Sequence, residues 1–215
     1  MKKLSVILLL ILFISSCSKD KPETVIKDNS KEKMTIKKDT TVTIKKELIT
    51  KNGKTFTIIE SKPTISVSNY FITGTGFKNS SDTITFSLLD PMANAVLADL
   101  DNNGFEEMYI ITKSTGDEAF VNVMGVVSDM DERIAEIKVQ QDSTEIFNKG
   151  DNFNGYLGRD SVFFDRSHLY KIYPVFKSSD PGSGNISGKI KMIYTLKNMN
   201  GEYTLNVTEE QKLPN

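Results

Sequence analysis

Residues 41–61 read TVTIKKELITKNGKTFTIIES, and this stretch decides the fold. Val, Ile and Thr alternate with polar residues on both sides of the pair Asn52-Gly53. Branched side chains of this kind favour β-strands. An Asn-Gly pair between two such runs is the strongest short-range signal for a hairpin, because its tight turn requires positive φ angles. The stretch therefore predicts two antiparallel strands, over 41–50 and 54–61.

Similar short runs, rich in β-branched and aromatic residues, continue to the end of the chain. They cover 65–73, 82–89, 94–100, 106–112, 120–127, 135–141, 160–164, 169–176, 189–197 and 202–208. One stretch, 128–140, also has the pattern expected of a helix. Strands repeated at this spacing predict an all-β fold, an antiparallel β-sandwich or barrel-like domain over residues 40–215.

Composition excludes several classes of protein. The 215 residues include 27 Lys and Arg against 28 Asp and Glu, so the formal net charge is −1. Without a basic excess, the bulk charge does not indicate nucleic acid as a partner. The single Cys excludes an intramolecular disulfide and a multi-Cys zinc site. The single His excludes His-based metal clusters.

The N-terminus, MKKLSVILLLILFISSC, has a basic start followed by an apolar run over 4–13. That run is too short to span a bilayer but fits a secretory signal. With Cys17 directly after it, the segment resembles the lipobox of bacterial lipoproteins. This resemblance implies a cleaved signal peptide over 1–16, a lipidated Cys17 and an anchor in the bacterial cell envelope. Ser18 favours the outer membrane, and the charged stretch 17–39 is expected to be a disordered tether.

An acidic turn with the letters DLDNNGFEE begins at Asp99. Its oxygen-bearing side chains Asp99, Asp101 and Asn103 alternate as in the front half of a calcium loop, and Glu107 follows. An EF-hand would need a Glu at the twelfth position, where Ile110 stands. Two interpretations stay open: a turn whose side chains bond their own backbone, and a calcium site.

A polar loop with the letters KSTGDEAF lies between two predicted strands. Its adjacent acids are the wrong arrangement for the opposed carboxylates of a glycosidase. We therefore expect that this loop is a hairpin tip that binds a partner, and that the protein is not itself an enzyme. The candidate binding residues are Lys113, Ser114, Thr115, Gly116, Asp117 and Phe120.

The order of these motifs is similar to that in the periplasmic inhibitors of invertebrate-type (I-type) lysozyme. The similarity runs through NGKTFTIIE, SVSNYFI and AVLADLDNNGFEEMYIITKS into the polar loop. The segments GYLGRD, YPVF and ISGK resemble the second half of extended members of that group. Together these segments cover about residues 48–205.

The resemblance implies an antiparallel β-sandwich, in some members a homodimer, that binds a lysozyme-type glycan hydrolase. Loop 113–120 would enter the lysozyme cleft and meet its catalytic carboxylates with hydroxyl groups. The alternative is a calcium-stabilised cell-surface β module for adhesion or assembly. For that module the metal ligands would be Asp99, Asp101, Asn103 and Glu107, and no other cofactor is expected.

Overall fold

The computed structural model describes residues 25–27, 33–36, 41–79, 82–140, 153–165, 167–177 and 185–214. The strands, in chain order, are β1 (Val25–Lys27), β2 (Lys33–Ile36), β3 (Val42–Ile49), β4 (Thr55–Lys62), β5 (Ser68–Thr75), β6 (Thr83–Leu89), β7 (Met92–Ala98), β8 (Glu107–Lys113), β9 (Val121–Asp129), β10 (Arg133–Val139), β11 (Ser161–Phe164), β12 (Leu169–Phe176), β13 (Ile186–Met199) and β14 (Glu202–Leu213). Within these ranges no helix is long and apolar enough to cross a bilayer.

The first six strands form one antiparallel sheet in simple chain order. The predicted hairpin lies at its centre as β3 and β4, which pair from Val42 with Lys62 to Ile49 with Thr55. The turn differs in type from the expected one. Gly53 has a positive φ of 77°, but Asn52 does not. A hydrogen bond from the Gly53 N–H to the Thr50 carbonyl closes the turn at 2.9 Å.

The other eight strands form a second sheet in the order β11-β12-β13-β14-β10-β9-β8-β7. All its neighbours are antiparallel except β10 and β14, which run parallel. The sheet curls until the ring of Tyr109 on β8 lies 5.1 Å from that of Phe164 on β11. The all-β prediction is therefore confirmed, with a sandwich of two sheets of which one is barrel-like.

Strand β8 lies between two apolar cores, because both of its faces are buried. Met108 and Ile110 point towards the first sheet and pack in a core with Phe56 and Ile58 of β4. Tyr109 points the other way, into the core enclosed by the curled sheet. A strand covered on both faces needs a nearly continuous apolar run, which explains the letters MYII at this position.

The predicted helix over 128–140 is wrong. This stretch is the end of β9, a turn and β10. Met130 and Asp131 both have positive φ angles, 47° and 58°, and the Glu132 N–H donates to the Asp129 carbonyl at 2.9 Å. These are the features of a type I′ hairpin turn. No Gly or Asn marks it in the sequence, and so the turn escaped prediction.

Two short strands fall inside the predicted tether over 17–39. Strands β1 and β2 lie within it, and β2 pairs with β3 from Lys33 with Lys45 to Ile36 with Val42. The outer edge of β3 would otherwise leave a row of unpaired backbone groups, which β2 satisfies. The predicted signal peptide over 1–16 and the predicted lipidation site at Cys17 lie outside the described residues.

Candidate functional site

Loop 113–120 connects β8 to β9 and is closed at its neck by two hydrogen bonds. The Ser114 N–H donates to the Phe120 carbonyl at 2.8 Å, and the Phe120 N–H donates to Ser114 Oγ at 2.8 Å. Beyond this neck the tip is exposed to solvent. Gly116 and Ala119 have positive φ angles of 126° and 46°. A glycine adopts such an angle readily, which explains the Gly at position 116.

Two neighbouring segments hold the exposed tip in place. Thr115 Oγ1 donates to Ser66 Oγ at 2.9 Å, which links the loop to the β4–β5 connection. On the other side, the Arg159 N–H donates to the Glu118 carbonyl, and Arg159 Nε donates to the Asp117 carbonyl at 3.1 Å. Two neighbouring carbonyls of the tip, those of Asp117 and Glu118, are thereby fixed from outside the loop.

Gly158 allows Arg159 to form its hydrogen bonds with loop 113–120. It has a positive φ of 86°, and a Cβ at this position would overlap the Glu118 carbonyl oxygen. Any other residue would therefore push the loop away from the segment 155–160. This segment is the GYLGRD motif of the sequence, to which sequence reasoning assigned no role.

A cleft of about 620 Å³ opens beside the neck of the loop. Its lining residues are Asp90, Ser114, Phe120, Val121, Asn122, Tyr156, Asp160 and Lys171.

The floor of this cleft is a buried ion pair, Asp160 with Lys171, whose carboxylate and ammonium lie 3.7 Å apart. Tyr156 OH donates to the two Asp160 oxygens at 2.7 and 2.8 Å, and the Val121 N–H donates to the same carboxylate at 3.2 Å. Lys171 Nζ also lies over the ring of Tyr173, 4.7 Å from its centre. Buried charges persist when they are paired and hydrogen-bonded in this way.

The acidic turn brings three carboxylates together. Ligand oxygens of Asp99, Asp101 and Glu107 all lie within 4.8 Å of one another. Asn103 is used differently: its Oδ1 accepts from the Phe105 N–H at 2.7 Å, and its Nδ2 donates to Asp101 at 2.9 Å. Both roles considered for this turn are thus compatible with its geometry, with Asn103 holding the backbone.

Electrostatics at the acidic turn favour a proton or a cation. Glu107 is 1% exposed, and burial raises its pKa to about 8. Burial also raises the pKa of Asp101. One oxygen of Asp99, Oδ1, is buried and has no hydrogen-bond partner among the described residues, while Oδ2 pairs with Lys51 at 3.1 Å. Three close carboxylates repel one another unless positive charge is added.

The loop and the acidic turn are separate sites. They flank opposite ends of β8, and a strand of that length spans about 20 Å. Sequence reasoning placed both turns but missed the residues that hold the loop and form the cleft, among them Ser66, Arg159 and Lys171. The SVSNYFI and GYLGRD segments, which contain Ser66 and Arg159, were noted only for their likeness to family motifs.

Comparisons of the chain with protein-family models, with curated proteins and with solved structures find no match.

Proposed function

We propose that this protein is a lipid-anchored envelope protein that inhibits a lysozyme by inserting loop 113–120 into the enzyme's active-site cleft. The observation that carries the proposal is an exposed loop tip that is held by hydrogen bonds at three places: at its own neck, by Ser66 and by Arg159. A loop held in one conformation before binding loses little entropy when it docks.

The loop also carries groups suited to an enzyme cleft lined by carboxylates. Ser114 Oγ accepts a bond from the Phe120 N–H, so its own O–H can donate to a carboxylate. Lys113 is exposed at the start of the loop and adds a positive charge. Hydrogen bonds from a hydroxyl or ammonium to an ionised carboxylate are among the stronger polar contacts. The protein would therefore act by occupying the site and excluding glycan, without chemistry of its own.

The experiment is the residual activity of a panel of lysozymes mixed with purified residues 18–215. We expect one class to lose its activity at micromolar inhibitor. Ser114→Ala removes both the neck acceptor and the donor and should weaken inhibition about tenfold or more. Ser161→Ala, an exposed serine on β11, is the matched control and should inhibit normally. If no class is inhibited, the proposal fails.

A second candidate rests on the acidic turn: a calcium-stabilised cell-surface module for adhesion or assembly. The specific observation is the buried Oδ1 of Asp99, which has no partner in the part of the chain that the structure describes and lies in the cluster with Asp101 and Glu107. Calcium takes carboxylate oxygens at about 2.3–2.6 Å and would replace the proton that burial favours on Glu107. The test is whether EDTA lowers the melting temperature and calcium restores it.

A further inference from the structure

The cleft beside the loop has a built floor, which the proposed inhibition does not use, and an aromatic wall that includes Phe120 at the end of the loop. Asp160 and Lys171 are both 7% exposed, and they form the floor. The wall is made by Phe120 and Tyr156, whose rings meet edge to face 6.0 Å apart. Phe120 is 36% exposed, so one large ring is left open to solvent at the mouth. A volume of about 620 Å³ lies in the range of small-molecule sites.

Strained backbone positions this lining. Ala119, directly before Phe120, has a φ of 46°, and Arg159, directly before Asp160, has a φ of 62°. A non-glycine residue in this left-handed region is strained and persists where its surroundings impose it. Two such residues therefore aim the aromatic wall and the acidic floor into the same cleft, which is a pattern found at ligand sites.

The charges of the lining select the class of ligand. Asp160 and Lys171 already neutralise each other as a buried pair, so the floor has no unmatched charge to offer an ionic ligand, and Asp90 repels an anion. A hydroxyl group needs no opposite charge, because it donates to a carboxylate and accepts from a cation or an amide. The exposed amide of Asn122 offers a donor and an acceptor at the rim. A neutral ligand with several hydroxyls and a flat apolar face fits this combination best.

We propose that the cleft binds a short neutral oligosaccharide, with one sugar ring packed against Phe120 and its hydroxyls bonded by Asn122. The saccharide lies beside the neck of loop 113–120 and does not require a lysozyme. Its binding therefore stands or falls separately from the inhibitory function.

The test is isothermal titration calorimetry of residues 18–215 with four trisaccharides of different chemistry. The trimer of N-acetylglucosamine and maltotriose are neutral and distinguish an acetamido sugar from a plain glucan. The trimer of glucosamine is cationic, and trigalacturonic acid is anionic. We expect at least one neutral trimer to bind at least tenfold more tightly than either charged one. Tighter binding of a charged trimer, or no binding of any trimer at millimolar concentration, overturns the proposal.

Two surface variants locate the binding without disturbing the buried ion pair. Phe120→Ala should weaken binding about tenfold, by loss of the ring, and Asn122→Ala about two- to tenfold, by loss of one hydrogen bond. Phe163→Ala, another exposed phenylalanine on β11, is the matched control and should bind normally. Melting temperatures show that each variant is folded. If both cleft variants bind like the control, the saccharide does not occupy this cleft.

Discussion

Substituting Gly158 by Ala tests how the loop is held in place. Gly158 has a positive φ of 86°, and a Cβ added there would overlap the Glu118 carbonyl oxygen. Segment 155–160 and loop 113–120 must therefore separate in this variant. Both bonds from Arg159 to the loop would then be lost. Gly201→Ala is the matched control, since Gly201 has a φ of 82° and open space around its Cβ position.

The magnitudes follow from these contacts. Each substitution places a side chain in the left-handed region, at a cost of about 1–2 kcal/mol. Gly158→Ala alone also loses two hydrogen bonds, which contribute about 0.5–1.5 kcal/mol each. Its free energy of unfolding should therefore fall by about 1–3 kcal/mol more than that of Gly201→Ala. For a domain of this size, the extra loss lowers the melting temperature by about 2–12 °C.

The assay is urea unfolding of both variants, followed by inhibition of a sensitive lysozyme. Gly158→Ala should be the less stable variant and should inhibit about tenfold more weakly or worse, because its loop must be ordered on binding. Gly201→Ala should inhibit like the wild type. Equal stability of the two variants would refute the inference that Gly158 holds the loop.

Three further predictions concern buried and clustered acids. In cation-free buffer, the free energy of unfolding should fall as the pH rises from about 5 to 8. Folding raises the pKa of Glu107 from 4.5 to about 8, so the folded protein holds a proton on this carboxyl group that is lost over this range. Glu107→Gln should flatten the pH dependence of the melting temperature. Calcium should raise the melting temperature of the wild type but not of Asp101→Asn, measured against EDTA; an equal rise would exclude the site. Glu60→Leu should cost about 2–6 kcal/mol in urea unfolding, because Glu60 accepts bonds from Ser68 Oγ and the Met92 N–H inside the protein, whereas Glu60→Gln should cost less.

The strands could be predicted because their signals are local. The alternation on both sides of Asn52-Gly53 and the run at 169–176 report directly on the chain's own conformation. The hairpin around Met130-Asp131 was missed because its turn uses no Gly or Asn, and its shape depends on contacts such as that of Ser128 Oγ with Asp131 at 2.6 Å. β1 and β2 were missed because these short segments of a charged stretch show no period of their own, and they form strands by pairing, β2 with the edge of β3 and β1 with β2.

The candidate sites divide in the same way. The acidic turn and loop 113–120 were visible as short polar motifs between strands. The contact of Arg159 with the loop joins residues about forty positions apart, and the cleft brings together side chains from several strands. No local pattern encodes such pairings. Their prediction would require the curl of the second sheet, which a single sequence does not specify.

Steady-state kinetics of a sensitive invertebrate-type lysozyme can decide whether loop 113–120 occupies the active-site cleft of the enzyme. The glycan substrate is kept in large excess over this protein, so that binding of substrate by the protein itself is negligible. We expect competitive inhibition, with KM raised and kcat unchanged, and weaker inhibition by Ser114→Ala. Inhibition that lowers kcat alone, or an unchanged rate with every lysozyme at micromolar protein, would show that the loop does not enter the cleft.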